Sequence, residues 1–154
     1  MAAQIVPDAR ALADALAPVR GQRTIALANG CFDILHVGHV RLLQEAQQHA
    51  DVLVVALNTD ASARALKGPD RPYVTLNERM EIIAALAGVD YVTSFAEPTA
   101  HALVEALRPD VYVKGTDRTP DTTPERELVE SHGGRLVFLG GPKERSSTDL
   151  GRRG

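Results

Sequence analysis

TIALANGCFDILHVGHVRLLQEA, residues 24–46, carries a change from strand to helix on which the architecture turns. TIALA (24–28) is a short run of aliphatic and β-branched residues, whereas Leu42, Leu43 and Ala46 recur at helical spacing further on. Between them NGCFDILHVGHV (29–40) holds an aspartate and two histidines, His36 and His39, with Gly38 between the pair. If the helix begins near residue 37 or 38, His36 stands just before it and His39 in its first turn. Unsatisfied backbone N–H groups there already favour an anion.

Outward from this junction the alternation repeats. VLVVAL (52–57), DYVTS (90–94), DVYVK (110–114) and RLVFL (135–139) are continuous apolar runs, as expected of strands covered on both faces. Helical patterns separate them. Thr75 and Glu78 form a capping-box pattern ahead of Met80, Ile83 and Leu86. Pro98 suits the start of a helix holding Leu103 and Leu107, and Thr123 with Pro124 suits the cap and first position of another. Near the N-terminus, Leu12 and Leu16 mark a short amphipathic helix over residues 8–17.

The series predicts a single α/β domain, Rossmann-like, with a mainly parallel five-stranded sheet and helices on both faces. We expect a helical extension over 1–21, the main domain over 22–150 and a short tail over 151–154. Ligands of such sheets bind beyond the carboxyl ends of the strands, where the strand order changes direction. LKGPDRPYV (66–74) and GTDRTPDTTP (115–124), rich in Gly, Pro and charge, are expected at that same edge.

Composition narrows the function. With 154 residues and 44% hydrophobic composition the chain has room for one domain with a real core. A formal net charge of −3 supplies no global field for nucleic acid or an anionic membrane, so an anion site must be local. One cysteine excludes an internal disulfide. No long apolar run of spanning length is present, and MAAQIVPDARALADALAPVR mixes acids with arginines rather than following a basic start by an apolar core. The expected location is cytoplasmic.

A single histidine beside a helix start commonly packs or caps; two flanking a glycine at a strand-to-helix junction favour a ligand with clustered negative charge. Gly38, lacking a Cβ, permits close approach of a phosphate or an unusual backbone conformation. Cys31, His36 and His39 are zinc-ligand types without a recognised zinc spacing, so no metal ligand is assigned among the side chains. Cys31 near His36 raises the alternative of thiolate catalysis, against the simpler reading of a small half-buried loop residue.

The stretch resembles the HxGH signature of the nucleotidyltransferase superfamily in its cytidylyltransferase-like branch. The similarity continues through DVLVVALNTDAS, LKGPDRP, NERMEIIAALAGVDYV, ALRPDVYVKG and SSTDL, covering most of residues 22–150. Within that branch it is similar to the bacterial D-glycero-β-D-manno-heptose 1-phosphate adenylyltransferases, often found as one half of a protein whose other half is a sugar kinase. The resemblance implies transfer of AMP from ATP to the sugar 1-phosphate, giving ADP-heptose and pyrophosphate, with Mg²⁺ held mostly by substrate oxygens and water. It also implies a homodimer, a separate sugar kinase in the same pathway, and no nucleic-acid or membrane partner.

Carried over residue by residue, the resemblance gives His36, His39 and Lys67 catalytic roles, Lys67 being a mobile phosphate-contacting lysine. Asp33, Lys67 and Arg71 would face the phosphorylated substrate. Asn29, Gly30, Cys31, Phe32, Gly38, Arg79, Lys114, Gly115, Ser147 and Thr148 would line the nucleotide. Two positions depart from the pattern: Arg118 stands where a tyrosine is often seen, and Asp149 replaces a hydroxyl after Ser147 and Thr148. An alternative within the same fold is a cytidylyltransferase acting on glycerol 3-phosphate or a related polyol phosphate; readings in other classes are a non-catalytic nucleotide-binding subunit and an α/β interaction protein.

Overall fold

A computed structural model describes residues 2–140. The elements in chain order are β1 (Gln4–Ile5), α1 (Ala9–Leu16), β2 (Ile25–Gly30), α2 (Val37–Ala46), β3 (Val52–Asn58), α3 (Asp60–Lys67) and α4 (Leu76–Ala84). β4 (Tyr91–Phe95), α5 (His101–Leu107), β5 (Val111–Gly115), α6 (Arg126–Ser131) and β6 (Arg135–Leu139) follow. The strands form one sheet of order β1-β4-β3-β2-β5-β6, with every neighbouring pair parallel.

The architecture is the α/β sheet expected, with six strands in place of five. The added strand is β1, whose Gln4 and Ile5 pair with Tyr91 and Val92 at the sheet edge. Two residues are too few to carry a periodic signal. Just after it α1 buries Leu12 and Leu16 in the core, each contributing about 1.5–3 kcal/mol of apolar burial.

Successive side chains of a strand point to opposite faces, and here both faces are covered. Ala26, Ala28, Leu53, Val55, Val111 and Val113 pack with Leu43 of α2 and with Met80 and Ile83 of α4. Ile25, Leu27, Val54 and Tyr112 pack with Leu12 and Leu16 of α1, Leu103 and Leu107 of α5, and Val129 of α6. Two-sided burial is why the strand sequences are continuous runs rather than alternating ones.

At the amino edge of the sheet, aspartates receive strand N–H groups. Asp51 accepts from Thr24 N at 2.9 Å, Asp110 from Ile25 N at 2.8 Å and Asp90 from Leu53 N at 2.9 Å. Hydrogen bonds from the Thr24 backbone and hydroxyl hold the Asp51 carboxyl below its ordinary range.

Four local expectations change, one of them at α5, which starts at His101 with Ala100 at its N-cap and not at Pro98. α3 occupies a stretch for which the apolar spacing predicts no element, directly after β3 and running into the loop at 66. The capping box of Thr75 and Glu78 does not form: Thr75 sits at the N-cap without a side-chain bond, and Asp60 accepts from Leu76 N at 2.9 Å. A carboxylate from another helix thus receives the first amide of α4, one that the Thr75 side chain does not serve. α6 starts later than Thr123 and Pro124 suggest, with Glu125 at its N-cap, because the Thr123 hydroxyl donates to Thr119 O at 2.8 Å within the preceding turn. Among the described residues no helix is long and apolar enough to cross a membrane.

Candidate active site at the strand-to-helix junction

β2 lies between β3 and β5, so the chain leaves it to one side for β3 and β4 and returns on the other for β5 and β6. The order therefore reverses at β2 and β5, and the crevice beyond their carboxyl ends is the ligand position of this architecture. The junction from β2 into α2 forms one wall.

His36 is the N-cap of α2 with an extended backbone, φ −136° and ψ 174°. Its Nδ1 accepts the backbone N–H of Gly38 at 3.1 Å, while His39 Nδ1 accepts the N–H of His36 at 3.3 Å. The rings stack with centroids 3.8 Å apart and planes at 25°. A neutral imidazole that accepts at Nδ1 carries its proton on Nε2. Both rings are therefore Nε2–H tautomers, oriented by the backbone of the turn they terminate.

The geometry adds a physical reason for Gly38. A Cβ built there would meet His36 Cε1 at 2.9 Å and Nδ1 at 3.0 Å. The space a side chain would take is filled by the imidazole itself, so the glycine serves the histidine's pose.

The turn before the helix is tightly specified. Phe32 has φ 47°, left-handed for a residue with a bulky side chain, and its ring lies 5.0 Å from that of His39. A Cβ at Gly30 would come within 3.3 Å of the Phe32 ring. Cys31 is buried, its Sγ donating to Asn58 Oδ1 at 3.5 Å. Burial pushes its thiol up, more than nearby Lys67 and Arg79 pull it down. A thiol kept protonated is a poor nucleophile, which favours the loop-residue reading of Cys31.

Asp33 joins the junction to the 66–74 loop. Its Oδ2 accepts from Arg71 Nε at 2.6 Å, and its two oxygens take the N–H groups of Tyr73 and Val74 at 2.9 Å. The side chains of Asp33 and Arg71 are 1% and 6% exposed. Burial alone would raise the Asp33 carboxyl; the donors from Tyr73, Val74 and Arg71 outweigh it and hold the group below its ordinary range. The Arg71 guanidinium lies 4.6 Å from the centre of the Tyr73 ring. Lys67, in the last turn of α3, is exposed and close enough to Cys31 to act on its thiol.

Arg79 lies beneath this surface. Its side chain is 0% exposed. Nε donates to Val74 O at 2.9 Å, Nη1 to Cys31 O and Asn58 O at 2.8 Å, and Nη2 to Asp60 Oδ1 at 2.7 Å. One guanidinium thus ties the β2 turn, the end of β3, the start of α3 and the loop before α4. It pairs with Asp60 and not with Glu78 or Glu81 of its own helix.

Across the crevice, Lys114 Nζ donates to Asn29 Oδ1 at 2.6 Å, bridging the ends of β5 and β2. A Cβ at Gly115 would lie 3.9 Å from Leu42 of α2 and 2.8 Å from Asp117 Oδ1. The structure thus brings Asn29–Asp33, His36, Gly38, His39, Lys67, Arg71, Lys114 and Gly115 to one edge and puts Arg79 under it. Ser147 and Thr148, with Asp149, lie outside the described residues. Sequence reasoning missed Asn58, Asp60, Tyr112 and Glu125. The one available signal, for Asn58 alone, was polarity at the end of an otherwise apolar run.

Residues 27–137 match the family described as Cytidylyltransferase-like. The chain belongs to the cytidylyltransferase-like family. It is 50% identical over 131 residues to the Bifunctional protein HldE of Syntrophotalea carbinolica, an overlap of 85% of this chain and 27% of that one. It is 49% identical to the same-named protein of Geobacter metallireducens, over 85% of this chain and 26% of the relative. The chain thus spans about a quarter of the length of these curated relatives.

Among solved structures, the lipopolysaccharide core biosynthesis protein from Thermoplasma volcanium is 28% identical with TM-score 0.66, over 79% of this chain and 99% of that one. Pantothenate synthetase from Thermus thermophilus is 15% identical with TM-score 0.70, over 96% of this chain and 67% of that one, a likeness of fold alone. The family's cytidylyltransferase-like region runs from the middle of β2 to the middle of β6 and so contains the whole β2–β5 crevice.

Proposed function

We propose that this chain transfers AMP from ATP to a sugar 1-phosphate, D-glycero-β-D-manno-heptose 1-phosphate, releasing ADP-heptose and pyrophosphate. The observation that carries the proposal is the stacked His36–His39 pair capping α2 at the crevice, two Nε2–H donors beside a helix N-terminus. The similarity to HldE proteins, together with the resemblance of LKGPDRP and NGCFD to the heptose 1-phosphate adenylyltransferases, supports this choice of substrate pair.

In the proposed reaction an oxygen of the sugar phosphate attacks the α-phosphorus of ATP. A new P–O bond forms while the bond to the bridging oxygen of the β-phosphate breaks, and pyrophosphate takes the electron pair. Both reactants are anions, so alignment and compensation of charge are the main requirements. The His36 and His39 N–H donors and the first amides of α2 serve the oxygens on the α-phosphorus. Lys114 sits on the opposite wall for phosphate oxygens, and Lys67 approaches from α3. Asp33 supports the reaction by holding Arg71 and the loop around it.

Among the described residues no three His, Cys, Asp or Glu side chains cluster to hold a metal ion. Mg²⁺ characteristically keeps several waters and binds through substrate phosphates, so it enters with the triphosphate and no protein ligand is named for it. A kinase activity supplies the sugar phosphate, and the enzyme works in the cytoplasm as a homodimer.

The test is a substrate panel: the chain with Mg²⁺ and ATP or CTP, against heptose 1-phosphate, glycerol 3-phosphate and other sugar phosphates, read by pyrophosphate release and product mass. ADP-heptose is the expected product. Turnover confined to CTP and a polyol phosphate would replace this assignment with the cytidylyltransferase one. ATP binding without pyrophosphate release on any acceptor would mark a binding subunit.

A further inference from the structure

Behind Lys114, a buried tyrosine and a buried glutamate are not used by the chemistry above. Tyr112, two residues earlier on the same strand, points to the same face and is 0% exposed. Its hydroxyl donates to Glu125 Oε1 at 2.7 Å. Glu125, at the N-cap of α6, is 3% exposed. The Lys114 ammonium lies 5.3 Å from the centre of the Tyr112 ring, while Asn29 accepts its proton at 2.6 Å.

We infer that Glu125 and Tyr112 are positioning residues for Lys114, holding its ammonium, charged, at the β2–β5 crevice for the phosphates of the nucleotide. The inference rests on the nucleotidyl-transfer reading. A carboxylate is costly to bury unless it is hydrogen-bonded and faces a positive charge. For packing alone, an apolar pair in place of Tyr112 and Glu125 would fill the same volume without that cost. The tyrosine spends its hydroxyl on Glu125 and presents its ring to the ammonium, a cation–π contact.

The electrostatics agree in sign. Burial pulls the Lys114 ammonium below the ordinary lysine range; Glu125 pushes it back up, Arg118 pulls it down and Asp117 pushes it up. Asn29 and Tyr112 face the same group without charge at neutral pH. Burial and the Glu125 charge keep the phenol protonated, although the neighbouring Asn29 amide acts the other way. Removing the Glu125 charge would therefore lower the pH at which Lys114 loses its proton.

The experiment compares wild type, Glu125→Gln, Glu125→Asp, Lys114→Met and the Glu125→Gln/Lys114→Met double variant. Two readouts are taken across pH: kcat/KM for ATP, and the rise in Tm that ATP produces. In Glu125→Gln the alkaline decline of both is expected about one pH unit below that of wild type. Glu125→Asp should recover part of the shift, and in the Lys114→Met background the Glu125 substitution should change nothing further.

A Glu125→Gln chain with lower Tm but an unmoved pH profile, or one whose effect persists undiminished without Lys114, would overturn the inference. If Glu125→Gln does not fold, the same shift is sought in the Glu125→Leu/Tyr112→Phe double variant, which removes the charge together with the hydroxyl that faces it and leaves an apolar pair in their volume; an unmoved profile there overturns it equally. A wild type that ATP stabilises but that turns nothing over counts against the transfer reading alone, because the Tm arm still tests Lys114. A wild type that ATP does not stabilise overturns both.

Discussion

His36 and His39 cap each other's backbone: His36 Nδ1 takes the Gly38 N–H, and His39 Nδ1 takes the N–H of His36. The pair thus terminates the helix and, in doing so, fixes the tautomer of both rings. Helix capping at Nδ1 and the proposed phosphate recognition at Nε2 meet in the same two rings, and the two can be separated by substitution.

Asparagine is a good N-cap. His36→Asn should keep stability within about 1 kcal/mol of wild type in urea denaturation, because an oxygen replaces Nδ1 as acceptor for the first amides of α2. Turnover should nevertheless fall about a hundredfold or more, the scale of losing one preorganised donor to a transition-state oxyanion. His39→Ala should show the same kinetic loss. Steady-state pyrophosphate release checks both.

Gly38→Ala should cost activity rather than folding. The new Cβ meets the His36 ring at 2.9 Å, and the ring can move only by giving up its stack on His39 or its cap bond. Alanine's better helix propensity, about 1 kcal/mol over glycine, offsets part of that strain. We expect a Tm near that of wild type with kcat reduced at least about tenfold by misplacement of the donor.

The Asp33–Arg71 pair should dominate the acid sensitivity of the loop it holds. The folded Asp33 carboxyl lies below its ordinary value of 3.8, so its contribution is complete above that value and is lost as pH falls through the lower folded one. The stability difference between wild type and Asp33→Asn should be full at pH 7 and shrink progressively below about pH 4. Asp33→Ala, which removes the carboxylate from a buried ion pair, should cost about 3 kcal/mol or more at neutral pH. Urea unfolding at stepped pH values measures both.

Arg79→Lys should be poorly tolerated despite conserving charge. A lysine presents one ammonium in place of a fork that reaches four acceptors, so the carbonyls of Cys31, Asn58 and Val74 cannot all keep a donor. Each buried acceptor left unmatched costs about 1–3 kcal/mol. A drop of about 3 kcal/mol in unfolding free energy is expected, accompanied by lower kcat because the turn bearing Phe32 and Asp33 loses its support.

How much of this was legible varies with the range over which each feature is encoded. The five long strands, the helix after β2 and the capping role open to His36 are written locally, in runs and in spacings of three and four residues. The crevice could be placed at the carboxyl edge because parallel α/β topology dictates it. β1 was not legible, since two residues carry no period and their pairing with Tyr91 and Val92 joins segments far apart in the chain. Nor was the bond from Leu76 N to Asp60, because that acceptor belongs to another helix.

By itself, then, the chain's sequence determined what depends on neighbours along it: a two-sided apolar sheet, helices alternating with strands, and two imidazoles at the first helix N-terminus after a strand. Tertiary structure alone decided which partners distant groups receive. It turned Asp33 toward Arg71, spread one Arg79 guanidinium over four segments, and set Glu125 against Tyr112 behind Lys114. The physical reason is that a buried charge takes whatever donor or acceptor the packed fold carries to it, and sequence spacing holds no record of that distance.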